Sequence, residues 1–226
     1  MFRHMAVAAA LLVAVGARPA SAQPKVEVSG IVGWTFSDGV SGNAVTAGDG
    51  NVYNRLDPKH SGSIGFSVGV LVTPEAEVGF MYAHQFSNLV AGGTNTRELG
   101  SMGVGSYHGY FAYNFAPPDH PLVPFIYGGL GATSFSDVTT NTGPVASPTG
   151  TRTLPGESRF SSTWGGGVKF FPNPKVGVRV VGSWTPTYIK SDAVGWWCDP
   201  YWGCYLVGSA QYANQITLSG GVTLRF

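Results

Sequence analysis

Apolar and polar residues alternate with a period of two along most of the chain. In the stretch 25–36, Val26, Val28, Val32, Trp34 and Phe36 face one way, and Glu27, Ser29, Gly33 and Thr35 the other. That period is the signature of a strand with two unlike faces. Seven further segments repeat it. In "SGSIGFSVGVLV", Ile64, Phe66, Val68, Val70 and Val72 oppose Ser63, Gly65, Ser67 and Gly69. The third sets Val78, Phe80, Tyr82 and Phe86 against Glu77, Gly79, Ala83 and Gln85. The fourth sets Tyr107, Phe111, Tyr113 and Phe115 against His108, Tyr110, Ala112 and Asn114. In the fifth, "PFIYGGLGA", both faces carry large apolar groups, Phe125 and Tyr127 against Ile126 and Leu130, and the pattern does not choose between them. The sixth has Trp164, Val168 and Phe170 opposite Thr163, Gly165, Gly167 and Lys169, and the seventh Val176, Val178, Val180 and Trp184 opposite Gly177, Arg179, Ser183 and Thr185. The last, "QITLSGGVTLRF", carries Ile216, Leu218, Val222, Leu224 and Phe226 on its apolar side.

The links between segments are of two kinds. "TPEA", "APPDHPLV" and "PNPK" are short and proline-rich, as tight turns are. The links over residues 37–60, 91–101, 137–158 and 190–210 are long, polar and rich in glycine. Short turns at one end and long loops at the other predict an all-β, closed, eight-stranded antiparallel up-and-down barrel that crosses a membrane.

The charges support the membrane. Glu27, Glu77, Lys169, Arg179 and Arg225 all fall on the small, polar face of their strands. A basic group facing lipid at the midplane would cost about 2–4 kcal/mol. A soluble barrel with its apolar face turned inward would leave a surface of Gly, Ser and Thr with few charges, an unusual surface in water. Charged residues make up 11% of the chain, against roughly 25% in soluble domains. Aromatic residues sort into two levels, with Trp34, Phe36, Phe86, Trp184 and Tyr212 toward the long loops and Tyr113, Phe115, Phe170 and Phe226 toward the short turns. Two such levels match the girdles at lipid–water interfaces.

The start of the chain is of another kind. Arg3 and His4 precede an apolar run from Met5 to Val15, and Ala20-Ser21-Ala22 follows. This is the pattern of a secretory signal peptide over residues 1–22, leaving a single domain over residues 23–226 that starts at Gln23. Thirteen basic residues lose Arg3 and Arg18 with it; eleven then stand against twelve acidic ones, a net charge of −1. That balance gives no support to a nucleic-acid partner.

With its eight alternating segments, the "PFIYGGLGA" strand and the terminal "GGVTLRF", the chain resembles the small eight-stranded outer-membrane barrels of the OmpX, OmpA-transmembrane and opacity-protein type. The resemblance implies a place in the outer membrane of a Gram-negative bacterium, among outer-membrane lipids and lipopolysaccharide. It also implies that Phe226 is read by the barrel-assembly machinery. A structural, surface-display or adhesive role through the loops follows from it, exercised by a monomer on a surface ligand that stays unidentified. No peptidoglycan-tethering role is carried over.

Several groups could carry function. Glu27, Glu77, Lys169, Arg179 and Arg225 converge on the interior, either as a plug of ion pairs or as separately hydrated charges; a loosely filled interior would instead make a narrow passive pore. Cys198 and Cys204, the two cysteines of the chain, are expected to form a disulfide in an oxidising compartment. Around them Trp196, Trp197, Tyr201, Trp202 and Tyr205 form either a contact surface for a partner or an extended girdle. Asp38 and Asp49 lack the ligand spacing of a calcium loop. "AHQFSN" sets His84 near Ser87 and Asn88, similar to the His-x-Ser-Asn pattern of the lipid A deacylases, but its His-x-x-Ser spacing sends base and nucleophile to opposite faces. His108 beside Tyr110 is read as a filler of the interior. No enzymatic activity, metal or cofactor is expected.

Overall fold

A computed structural model describes residues 25–46, 52–140, 152–189, 198–199, 203–204 and 211–226. Its strands, in chain order, are β1 (Val26–Ser37), β2 (Val40–Thr46), β3 (Val52–Pro58), β4 (Ser61–Leu71), β5 (Ala76–Gly93), β6 (Arg97–Asn114) and β7 (Leu122–Phe135). There follow β8 (Val138–Thr140), β9 (Arg152–Leu154), β10 (Glu157–Asn173), β11 (Val176–Ile189), β12 (Cys198–Asp199), β13 (Gly203–Cys204) and β14 (Gln211–Arg225). Eight of them form the wall, each antiparallel to its neighbours, in the order β1-β4-β5-β6-β7-β10-β11-β14. The ring closes where β1 pairs with β14, from Glu27 opposite Arg225 to Ser37 opposite Gln215. Closure removes every free edge from the wall, which lipid demands of a spanning sheet.

The alternation read from the sequence is the inside–outside alternation of this wall. Val32, Leu130, Val180 and Leu218 are among the most exposed side chains, at 66%, 62%, 68% and 58%. Glu27, Glu77, Lys169, Arg179 and Arg225 point inward and are buried. The aromatics assigned to both girdles all face outward, and Trp164 stands opposite Trp184 on the neighbouring strand, so it joins the level near the long loops. The undecided fifth segment resolves with Phe125 and Tyr127 inside and Ile126 and Leu130 outside.

Inward rings depend on glycines of the neighbouring strand, Gly165 opposite Tyr127 and Gly79 opposite Tyr110. A Cβ on Gly165 would lie 2.7 Å from the Tyr127 ring, and one on Gly79 would lie 2.7 Å from the Tyr110 ring. A Cβ on Gly177 would meet the Phe171 ring at 2.5 Å. Eight strands leave an interior just wide enough for side chains. Large rings fit only where an opposing residue has none.

All four links read as loops contain strand pairing; within residues 137–158 β8 pairs with β9, and within 190–210 β12 pairs with β13. Residues 91–101 are mostly ladder: β5 and β6 run on as a hairpin to Ala91 opposite Arg97, through a bulge at Leu89 and Val90. Residues 37–60 contain the hairpin of β2 and β3, and β3 lies along the end of β5, with Asp57 opposite Val90. β2 and β3 therefore continue the sheet of β5 and β6 on that side of the barrel. Period-2 signal was weak there because polar and small residues suit both faces outside the lipid.

Candidate functional site: the barrel lumen

The interior is layered along its axis. At the short-turn end, β1, β5, β10 and β14 aim four charges at one level. Lys169 Nζ donates to Glu27 Oε2 at 2.7 Å and to Glu77 Oε2 at 2.6 Å. Arg225 closes on Glu27 Oε1 through Nε at 3.0 Å and Nη2 at 2.6 Å. Tyr110 donates its hydroxyl to Glu77 Oε1 at 2.5 Å. The Arg225 guanidinium also lies 3.7 Å from the centre of the Phe171 ring and donates to the Pro118 carbonyl. Pro118 belongs to the turn over residues 115–121, which is pinned across the mouth; its Asp119 accepts from Lys25 Nζ at 2.9 Å. The Lys25 ammonium holds the Asp119 carboxyl below the ordinary carboxylate range.

Such a layer is costly to bury unless every charge is paired and hydrogen-bonded. Four of the five inward charges meet that condition. The fifth does not join them: Arg179 makes no ion pair among the described residues. Its Nη1 donates to Ser29 Oγ at 3.2 Å and Ser67 Oγ at 3.1 Å. The Phe125 ring lies against both Arg179 and Lys169, with each cation 5.1 Å from the ring centre. The expected plug of two carboxylates among three cations is therefore a four-membered ionic layer with Arg179 above it.

Above Arg179 lies a cavity of about 80 Å³. Hydroxyls and amides line the wall at and beyond it. Thr35 donates to Ser63 at 3.1 Å and shares a 2.9 Å hydrogen bond with Thr217; Gln215 donates to Gln85 at 2.8 Å. On the facing wall His108 Nε2 is 2.9 Å from Ser161 Oγ, and Thr187 donates to Thr133, which donates to Ser161. His108 is thus a hydrogen-bonded part of the interior. At the long-loop end the lumen turns apolar, where Val40, Leu89, Met102, Phe135, Ile189 and Ala213 pack into one cluster. Val40 comes from the β2–β3 hairpin, so that extension supplies part of the cap.

The other sequence-read groups are spread out. His84 faces outward, edge-on to Phe86 at 4.8 Å. Ser87 faces inward and donates to the Lys59 carbonyl at 2.7 Å. The wall itself separates the two, so the deacylase-like pairing does not form. Asp38 pairs with Arg55, and Asp49 lies outside the described residues, as do Trp196, Trp197, Tyr201, Trp202 and Tyr205. Among the described residues no group of three or more His, Cys, Asp or Glu side chains could hold a metal ion. The backbone of β12 and β13 sets Cys198 opposite Cys204. Phe226 extends the closing seam, donating its N–H to the Val26 carbonyl at 2.9 Å, with its ring 73% exposed. Tyr110, Phe125 and Phe171 were not assigned to the charges from the sequence; the signal was their same-face spacing, two residues from Ala112 opposite Glu77, from Val123 opposite Lys169, and from Lys169 itself.

No curated protein matches the chain. Among solved structures, Neisserial surface protein A is similar with a TM-score of 0.53 at 10% identity, covering 92% of this chain and 100% of that one. The outer membrane protein OprG from Pseudomonas aeruginosa has a TM-score of 0.55 at 11% identity, covering 90% of this chain and 96% of that one. Likeness at that identity speaks for the fold. The sequence also matches the outer membrane protein beta-barrel domain family over residues 5–226. The chain belongs to that family and is an integral β-barrel protein of the outer membrane.

Proposed function

We propose that the protein is a closed membrane anchor that acts by what it displays outside the cell. In this reading the short turns lie in the periplasm, and the β2–β3 hairpin with the tips of β5 and β6 stands above the lipopolysaccharide. One observation carries it: the lumen is blocked by different means at its two ends, a hydrogen-bonded ionic layer at one and an apolar cluster at the other. A passage for solutes needs a continuous wetted path, and these layers interrupt it. The display role requires only a rigid wall and loops, with outer-membrane lipids as surroundings and a monomer as the working unit.

Conductance tests this reading. Refolded protein in a planar bilayer is expected to stay silent; a steady open current would replace the anchor with a narrow pore, the rival that the internal cavity favours. The loop over residues 190–210 is the display element with the most aromatic residues. The Cys198–Cys204 register supports a disulfide there, because directly opposed residues in an antiparallel pair lie at a bridgeable Cα separation. Mass spectrometry of protein secreted into the envelope should show the two-hydrogen loss of that bond; a mass with both thiols intact would refute it.

A further inference from the structure

We propose that the lumen binds one small monovalent anion, of the halide class, against Arg179. The inference rests on the closed lumen described above and goes beyond it by naming an occupant.

The interior charges do not balance. Glu27 and Glu77 face Lys169, Arg179 and Arg225, two carboxylates against three cations. Lys169 and Arg225 take up both carboxylates directly. Arg179, only 6% exposed, is left with two serine hydroxyls and the face of Phe125. Its Nε is buried and has no hydrogen-bond partner among the described residues. A guanidinium presents five N–H donors, and a buried cation strongly favours a counter-charge.

Part of the lining of the space beside it has the matching character, the rest being apolar. The cavity of about 80 Å³ is bordered by Arg179 with Ser67, Tyr127, Thr163, Ser183 and Thr185, and no carboxylate lines it. Hydroxyls can turn their protons toward an anion, whereas an aspartate or glutamate would repel one. The size admits a halide with a few waters, since about 10–15 Å³ of such volume holds one water. The imbalance is a single positive charge, so a monovalent ion neutralises the interior and a divalent phosphate or sulfate would overshoot. A charge-neutral interior would then result from three cations, two carboxylates and one anion enclosed as the barrel shuts.

The test uses bromide as the only halide. Crystals of the full barrel grown in bromide should show one anomalous peak within hydrogen-bonding reach of the Arg179 guanidinium. Protein folded in bromide and exchanged into gluconate should retain one bromide per chain by ion chromatography, and Arg179→Gln should retain none. Absence of the peak from wild-type crystals overturns the proposal, and so does an equal peak in Arg179→Gln. The wild-type crystal decides alone if that variant does not fold. A peak at Arg179 without retention after exchange upholds the site and removes the closed lumen, so the two readings fail separately.

Discussion

At the scale of single residues the lumen behaves like a small protein core with charges in it. Lys169 is the centre, because one ammonium serves both carboxylates. Replacing it by methionine strips Glu77 of its ion-pair partner in the layer and leaves Glu27 with Arg225 alone. Breaking a buried pair from one side typically costs about 3–5 kcal/mol, so Lys169→Met should lower unfolding stability in urea by that order. Glu77→Gln should cost less, since it removes a charge and keeps an acceptor for Tyr110. An equal loss for both variants would mean that the layer is held by shape and not by charge. The glycines make a second contrast. Gly165→Ala would force a Cβ to within 2.7 Å of Tyr127 and 2.6 Å of the Gly182 carbonyl, while a Cβ at Gly62 meets nothing within 4 Å. Overpacking of this kind costs about 1–3 kcal/mol. Gly62→Ala should be close to neutral, and comparable losses at the two sites would refute the packing argument.

At the scale of elements each wall strand must satisfy two solvents, and its faces are not interchangeable. Val180 faces lipid beside Arg179, which faces the lumen. Val180→Arg should therefore cost about 2–4 kcal/mol when refolded into bilayers, as basic residues near the midplane do. In a soluble barrel the same change would be tolerated, so a neutral result would contradict the membrane-facing assignment. The closing seam of β1 and β14 includes Phe226, whose exposed ring adds little packing to the barrel. An assembly signal there predicts a separation of effects: Phe226→Ala should reduce the folded fraction in cells while leaving refolding of purified protein unchanged. Equal losses in both settings would assign the ring a structural role instead.

At the scale of the molecule the two closures act in series. Neutralising Glu27 and Glu77 together should loosen the ionic layer and leave the apolar cap in place. Removing residues 40–58 should withdraw Val40 from the cap and leave the ionic layer in place. Each variant alone is therefore expected to remain silent in bilayer recordings, and only their combination should conduct. Conduction by either one alone would show that a single layer does all the sealing. The continued sheet of β2, β3, β5 and β6 follows from the same economy, since strands long enough to outrun the lipid can keep pairing in water.

Much of this was legible before any coordinates. A period-2 pattern reports which residues share a face, and lipid punishes a misplaced charge so heavily that charge placement reports which face is out. The eight wall strands, the two kinds of connection and the inward set of Glu27, Glu77, Lys169, Arg179 and Arg225 were determined in this way by the sequence alone. It also predicted the separation of His84 from Ser87, because strand alternation is strictly local. Only tertiary structure decided what depends on residues far apart in the chain. Which cation meets which carboxylate depends on the register between strands, and Lys169 reaches Glu27 across 142 positions. The inward turn of Tyr127 depends on space left by Gly165 on the neighbouring strand. Arg179 stands apart from the ionic layer because its guanidinium turns to Ser29 and Ser67, which come from two other strands. Local alternation chooses a face, whereas closure of the barrel chooses the partners.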